Sequence, residues 1–302
     1  MPASKNPRRK AAPIPRVDAP TGHVLPDRRA MERHLAAIAG NSRDDALAQA
    51  QDIMYEAWER TTSRSRVTLA RRALAISPLC ADAYNLLAQE AATVTEARDL
   101  YGRALDAGEL ALGPEGFAEY DGHFWGFLET RPYMRARHGL ALTLLKLGEE
   151  DAAIAHFRAM LKLNPNDNQG IRYLLLACLL RREDTESVKA LLAAYADEWS
   201  TYWLYTRALI AYREGRANEA ETLKLVNGAL AENRHVPGIL ARTQPPTPSE
   251  SDYLSVGGAD EATEYVRDFR AAWEKIPGAI DWLMTIAGDS RPTKRRSSRS
   301  IH

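Results

Sequence analysis

The sequence predicts an all-α solenoid of stacked helix pairs, and three observations support this fold class. The chain has 302 residues, 45% hydrophobic and 26% charged, which is ordinary for a soluble globular protein. Apolar residues recur at helical spacing along most of its length. A template of small and large apolar residues runs from Leu87 to Ala104 and returns between Leu140 and Met160. Antiparallel helix pairs need such a template when they pack on copies of themselves, so the chain is predicted to be a repeat protein.

The template matches the tetratricopeptide (TPR) pattern, whose period is about 34 residues. The predicted second helices of five successive pairs open near the following residues: Arg66, Ala97, Ala153, Ser187 and Ala220. The intervals between them are 31, 56, 34 and 33 residues, so three lie close to one period. The sequence therefore predicts a TPR-like, right-handed helical-repeat solenoid with an insertion at about residues 106–132. Insertions in solenoids tend to lie on one face, often the binding face.

The predicted elements divide the chain into five regions. Residues 1–27 contain six prolines and a basic cluster, a composition typical of a disordered arm. The helical repeats span residues 28–241, and a proline-rich linker follows at 242–258. Residues 259–287 are predicted to form C-terminal capping helices, because the last apolar face of a repeat stack must be covered. Residues 288–302 are predicted to be a disordered basic tail.

Two segments resemble the repeat region of the suppression-of-tumorigenicity-seven family. The first is the run from Glu90 to Tyr101, and the second is Arg137-x-x-Leu140-Ala141 with the Lys146-Leu147-Gly148 turn. The resemblance covers roughly residues 45–215 and implies a helical-repeat protein without assigned catalysis. Many eukaryotic members of the family are membrane-anchored, and this sequence shows no such segment, so we expect a soluble, bacterial-type relative.

Charge distribution, cysteine content and the length of apolar runs bear on where in the cell the protein is expected. The formal net charge is zero, but residues 1–29 carry seven Lys and Arg against two Asp, and residues 288–302 carry five against one. Cys80 and Cys178 show no disulfide or zinc pattern, which favours a reducing compartment. The longest apolar run, from Leu174 to Leu180, is far shorter than the roughly 20 residues of a membrane-spanning helix. We expect a cytoplasmic protein that does not enter a membrane.

The first helices of a TPR array line a concave groove, and polar residues between their packing positions are candidate ligand contacts. Arg135 and Arg172 carry donors suited to a carboxylate, and Asn85 pairs with an extended peptide backbone. The alternative is that the whole set only forms solvated helix surface. The sequence shows no Lys–Asn carboxylate clamp, so the chemistry of the ligand stays open. The predicted partner-binding set is Asn85, Gln89, Arg135, His138, Gln169, Arg172 and Tyr173.

The insertion differs in composition from its surroundings. It holds five aromatic residues and five glycines, which favours a folded loop that packs on itself and forms one wall of a ligand pocket. The predicted pocket residues are Tyr120, Asp121, His123, Phe124 and Trp125. Asp121, His123 and Glu129 suggest metal or acid–base chemistry, but one histidine without a recognised spacing is a weak ligand set. Aromatic packing is the simpler interpretation, and we predict no metal site.

These observations favour a non-enzymatic scaffold that binds a protein or peptide in its groove. We predict no catalytic residue and no cofactor. One alternative is association with nucleic acid or another anionic surface through the basic tails, although the acidic body of the chain opposes it. A further alternative is an enzyme or metal site within residues 113–129. The sequence names neither the partner nor the oligomeric state.

Overall fold

The computed structural model describes residues 45–242 and 255–289, and within these ranges the chain forms helices and no strands. The predicted arm, residues 28–44, most of the linker and nearly all of the basic tail lie outside the described residues. The helices are α1 (Asp45–Glu59), α2 (Ser63–Ile76), α3 (Ala81–Gln89), α4 (Val94–Glu119), α5 (Arg131–Lys146), α6 (Glu150–Leu163), α7 (Ile171–Arg181), α8 (Thr185–Ala194), α9 (Thr201–Arg213), α10 (Ala220–Glu232), α11 (Val236–Leu240), α12 (Ala259–Glu274) and α13 (Ala279–Asp289).

The first ten helices form five consecutive pairs. Each helix from α1 to α9 packs against the next one, and the first helices α1, α3 and α5 also pack side by side. Every residue that the sequence marked as an opening of a second helix falls within the first turn of α2, α4, α6, α8 or α10. The predicted all-α, TPR-like helical-repeat fold is confirmed.

Local sequence signals explain where several helices begin and end. The side chains of Thr62, Thr93 and Asp184 accept hydrogen bonds from backbone N–H groups in the first turns of α2, α4 and α8. Gly148 has φ 79° between α5 and α6, a left-handed conformation that glycine adopts without steric cost. The turns between paired helices can therefore be short.

A close approach between α4 and α5 depends on glycine. A β-carbon placed on Gly139 would overlap the ring of Tyr101. A β-carbon on Gly108 would lie 3.0 Å from the β-carbon of Tyr133. Small residues thus let the long helix α4 lie directly on α5.

The insertion is largely helical, which differs from the predicted loop over residues 106–132. Its first half continues α4 to Glu119, with a kink at Gly113, where φ is 61° and ψ is 175°. The kink places Pro114 at the first position of a new helical segment, where its missing N–H costs no hydrogen bond. Only the stretch from Tyr120 to Thr130 is non-helical. Gly113 and Pro114 therefore bend the helix without ending it.

The predicted cap is present and reaches further than expected. Helix α13 packs against α9 and α10, and so covers the last pair. Helix α12 lies against both α7 and α9. Its buried face consists of Ala262, Tyr265, Val266, Phe269, Ala272 and Trp273, together with Glu261. This cover explains why α7 is apolar on nearly every side, since a helix with that composition must be enclosed.

Within residues 45–242 and 255–289, no helix combines the length and the apolar character needed to cross a bilayer.

Candidate partner-binding surface

Arg135 belongs to a polar cluster that joins α1, α3 and α5. Its Nε donates to Asp82 Oδ1 at 2.9 Å, and its Nη2 donates to Asp82 Oδ2 at 2.5 Å. Gln51 Nε2 also donates to Asp82, at 3.0 Å. Asp82 is fully buried, so these donors stabilise a carboxylate that would otherwise be costly to remove from water. The cluster fixes the guanidinium of Arg135 in one position.

The outward part of the Arg135 guanidinium keeps hydrogen-bonding capacity. Arginine has five N–H groups, and Arg135 uses two of them on Asp82. No described residue accepts a hydrogen bond from the remaining three. The side chain is 26% exposed, and its Cζ lies 5.5 Å from the centroid of the Trp58 ring. Arg135 is therefore both held in place and open to a further acceptor.

Asn85 and Gln89 lie one helical turn apart on α3, but their environments differ. Asn85 is 2% exposed, and its Nδ2 donates to Asp82 Oδ1 at 3.2 Å and to the carbonyl oxygen of Pro132 at 2.9 Å. The predicted groove-surface position of Asn85 is thus wrong, because both of its donors are used to join α3 to α5. Gln89 is exposed, as expected.

Arg172 lies in a second cluster, at the start of α7. Its Nε donates to Glu198 at 3.0 Å, and its Nη1 donates to the carbonyl oxygen and to Oδ2 of Asp167 at 3.3 and 3.0 Å. Its Nη2 donates to Tyr173 Oη at 3.0 Å and to Glu198 at 2.5 Å. The rings of Tyr173 and Tyr195 lie 4.6 and 5.4 Å from its Cζ. All five N–H groups are used, so Arg172 has no donor left for a ligand.

The charges in this cluster stabilise one another. Burial acts to raise the pKa of Glu198, but hydrogen bonds from the backbone of Ser200, from Arg172 and from Tyr173 outweigh it, so the pKa lies below its ordinary value. Burial acts to lower the pKa of Arg172, and its interaction with Tyr173, the hydrogen bond to Glu198 and the negative charges of Glu198 and Asp167 outweigh it, so that pKa is raised. Both groups are therefore held in their charged forms.

His138 and Gln169 are the remaining members of the predicted set. Both are half-buried, and His138 Nε2 and Gln169 Oε1 lack a hydrogen-bond partner among the described residues. Burial lowers the pKa of His138, and the negative charge of Asp167 opposes this in part. His138 is thus favoured in its neutral form, within electrostatic range of Asp167 in the Arg172 cluster.

The aromatic residues of the insertion pack on one another. Phe124 is fully buried, and its ring lies 5.1 Å from Phe117 and 6.0 Å from Tyr133. The rings of Tyr120 and Phe127 are 4.5 Å apart. These contacts agree with the aromatic-packing interpretation of the insertion.

The polar residues of the insertion lie at the surface. Asp121 and His123 are exposed, and the half-buried Trp125 accepts a hydrogen bond from Arg131 on its carbonyl oxygen. Within residues 45–242 and 255–289, no group of three or more His, Cys, Asp and Glu side chains is arranged to hold a metal ion. A pocket lined by these residues stays a prediction.

Sequence reasoning missed the carboxylates that organise both clusters. Asp82 lies in the first turn of α3, where an acidic residue is ordinary, and its partner Arg135 is 53 residues away. Asp167 accepts hydrogen bonds from the backbone N–H groups of Ile171 and Arg172 at the start of α7. An aspartate just before a helix was a usable signal for the cap, but not for the ion pair.

Comparison with known proteins gives related sequences over most of the chain. The model of the ST7 protein family matches residues 36–291. The chain is similar to the suppressor of tumorigenicity 7 protein-like of Rattus norvegicus, with 28% identity over 271 residues that cover 79% of this chain and 46% of the rat protein. It is also similar to the protein ST7 homolog of Drosophila melanogaster, with 28% identity over 268 residues, 79% of this chain and 49% of the fly protein.

Among solved structures, the chain is similar to YrrB, described as a TPR protein with an unusual peptide-binding site. The TM-score is 0.42 and the identity 18%, over 65% of this chain and 90% of YrrB. The chain spans about half the length of the curated relatives described above. Those relatives are animal proteins, so the expected bacterial-type relationship finds no support. The family match extends over most of the helical repeats and the cap, and the chain therefore belongs to the ST7 protein family.

Proposed function

We propose that this chain is a non-enzymatic scaffold that binds a protein or peptide segment on the first helices of its second and third pairs. The observation that carries the proposal is the state of Arg135, whose guanidinium is fixed by Asp82 and keeps three N–H groups without a described acceptor. A donor that is already ordered loses little conformational entropy when a partner binds. We call the surface around Arg135 and Gln89 the first-helix surface.

The chemistry of the first-helix surface suits a polar segment of polypeptide. Arg135 offers N–H groups to a carboxylate or a backbone carbonyl, and charge-assisted hydrogen bonds of this kind are the stronger ones. Gln89 is exposed and supplies both a donor and an acceptor, which matches the pattern of an extended backbone. The proposed ligand is therefore a peptide segment with a carboxylate or a free carbonyl placed against Arg135.

The corresponding part of α7 and α9 is assigned a structural role. Helix α12 covers these two helices, and the N–H groups of Arg172 are all used within the chain. Tyr173 donates to Glu198 at 3.0 Å and belongs to the same internal network. In this proposal, Arg172 and Tyr173 stabilise the fold and do not contact the ligand.

The proposal is tested by comparative affinity capture with three forms of the chain. The double variant Gln89→Ala/Arg135→Lys should lose the proteins that the unaltered chain retains, because lysine keeps the charge but not the planar set of donors. The control is Arg71→Lys, since Arg71 is exposed on α2 and has no hydrogen bond or ion pair to a described residue. Equal retention by all three forms would contradict the proposal.

Three further predictions stay open. Association with anionic surfaces through the basic tails concerns residues outside the described ranges. The absence of enzymatic activity is part of the proposal. A cytoplasmic location is supported by the two free cysteines, Cys80 and Cys178, both of which are buried.

A further inference from the structure

A second surface, distinct from the first-helix surface, lies between the second helices of the third and fourth pairs. Helices α6 and α8 form its walls and α7 its floor, and it encloses about 400 Å³. Leu175 and Leu179 line the floor, and Leu161 and Leu191 line the two walls. We call this apolar cleft the second-helix groove.

Hydrogen bonds define the two ends of the second-helix groove. At one end, Arg158 Nη2 donates to Ser187 Oγ at 2.9 Å, from α6 to α8. At the other end, Tyr195 Oη donates to the carbonyl oxygen of Pro165 at 2.9 Å. The aliphatic side chains lie between these bonds. The groove therefore has fixed ends and an apolar interior, at the bottom of which Leu175 and Leu179 are only 3% and 2% exposed.

The charge on the groove is of one sign. Arg158 and Lys162 line it and are exposed one helical turn apart on α6, and none of the described residues that line it is acidic. Lys162 has no ion pair or hydrogen bond to a described residue. Asp184 lies near the Arg158 end, but its Oδ1 accepts the backbone N–H of Ser187 at 3.1 Å and caps α8. An occupant of the groove gains from carrying negative charge opposite Lys162.

The shape of the groove selects the form of the occupant. An apolar cleft that is bounded by two helices and opens toward solvent between them is the setting in which an amphipathic helix binds by its apolar face. We propose that the second-helix groove binds an amphipathic helix of a partner protein, which inserts aliphatic side chains between Leu161 and Ala190 and places Asp or Glu residues beside Lys162. This site is separate from the first-helix surface and does not depend on it.

The charge requirement is tested with a synthetic probe. The probe is a fluorescein-labelled amphipathic helix of about five turns with leucines on one face and glutamates along both borders of that face. Anisotropy titration should show binding to the unaltered chain and an affinity about tenfold lower for Lys162→Glu, because attraction becomes repulsion. Lys224→Glu is the matched control, since Lys224 is exposed on α10 outside the groove and should not change the affinity.

The shape requirement is tested on α8 without altering the core. Ala190 lines the groove and Ala193 does not, and both are exposed on this helix. Ala190→Gln should fill part of the groove and weaken binding of the probe about tenfold or more, whereas Ala193→Gln should leave it unchanged. Circular dichroism of both variants should show the same helix content as the unaltered chain, so that a loss of binding is not a loss of fold.

Several outcomes would overturn the proposal. They are equal binding of a probe with lysines in place of glutamates, equal binding to Ala190→Gln and Ala193→Gln, or displacement of the probe by dodecanoate alone at the probe's own concentration. A dimer of the unaltered chain that Ala190→Gln dissociates would assign the groove to a second copy. The Gln89→Ala/Arg135→Lys variant should bind the probe normally, so failure here is distinguishable from failure of the first-helix surface.

Discussion

Arg135 and Arg172 occupy comparable places on the first helices of consecutive pairs, yet the structure gives them different capacities. Arg135 makes two hydrogen bonds to one carboxylate and is 26% exposed. Arg172 donates all its N–H groups, faces two tyrosine rings and is 16% exposed. Arginine at a similar position is thus a candidate ligand contact in one pair, whereas in the next pair it is bonded entirely within the chain.

The difference extends to the helices around them. Around Arg135, α4 and α5 approach closely through small residues such as Gly139. Around Arg172, α7 and α9 are enclosed by α12, and Tyr202 joins Tyr173 to Tyr265 through ring contacts of 5.2 and 5.5 Å. The cover over α7 and α9 leaves the first-helix surface of the earlier pairs as the accessible part.

The largest expected effect on stability comes from removing a buried side chain of α12, the helix that covers α7 and α9. Trp273 is fully buried, and its Nε1 donates to Tyr265 Oη at 2.9 Å. Trp273→Ala should lower the free energy of unfolding by about 3–5 kcal/mol through the cavity it leaves. Trp199→Ala is the control, since Trp199 is 62% exposed and its removal should cost about 0.5 kcal/mol or less. Urea unfolding measures both, and equal costs would show that α12 is only loosely attached.

The next largest effect distinguishes Arg172 from Arg135 by how much each contributes to the free energy of unfolding. Arg172→Lys removes several hydrogen bonds between charged groups that are each 15–16% exposed, and should cost about 2–3 kcal/mol of unfolding free energy. Arg135→Lys keeps a charge beside Asp82, which still has Gln51 and Asn85 as donors, and should cost about 1 kcal/mol. Thermal denaturation of both variants tests the ranking, and the reverse order would remove the distinction.

A smaller effect tests the close approach between α4 and α5. Gly139→Ala should destabilise the chain by about 1–3 kcal/mol, because the new methyl group overlaps the ring of Tyr101. Gly102→Ala, in the interior of α4 with no neighbouring atom within 4 Å of the added carbon, should instead stabilise it by up to about 1 kcal/mol. Chemical denaturation should therefore give opposite signs, and destabilisation by both substitutions would contradict the packing.

The smallest effect concerns pH. The pKa of His138 is lowered in the folded chain from its ordinary 6.5, because burial disfavours the charged form. The unfolded chain then binds more protons just below pH 6.5, so the contribution of His138 is complete above that pH and is lost as pH falls toward the lowered value. His138→Gln should flatten the decline of stability in this window. Glu198, whose folded pKa lies below 4.5, loses its contribution only at more acidic pH.

Stability curves from pH 7 down to about pH 4 separate the two groups. An unchanged slope in the His138→Gln variant just below pH 6.5 would show that this residue is not the group responsible.

Repeat spacing predicted the fold because packing at Ala153 or Phe157 depends on residues close in sequence. The capping helix α12 was predicted for the same reason, since its buried residues recur at helical intervals. The number of N–H groups that Arg135 and Arg172 keep for a ligand depends on their hydrogen bonds to Asp82 and Glu198. These carboxylates lie 53 and 26 residues away, and no local pattern encodes such pairs. The burial of Asn85 and the position of α12 on α7 follow from tertiary packing, which periodicity alone does not contain.

Isothermal titration with a captured partner tests the central claim most directly, at a temperature where every variant is folded. The claim predicts that Arg135→Lys weakens binding by about tenfold or more, while Arg172→Lys retains the affinity of the unaltered chain despite its lower stability. Loss of affinity in Arg172→Lys, with Arg135→Lys unchanged, would contradict it.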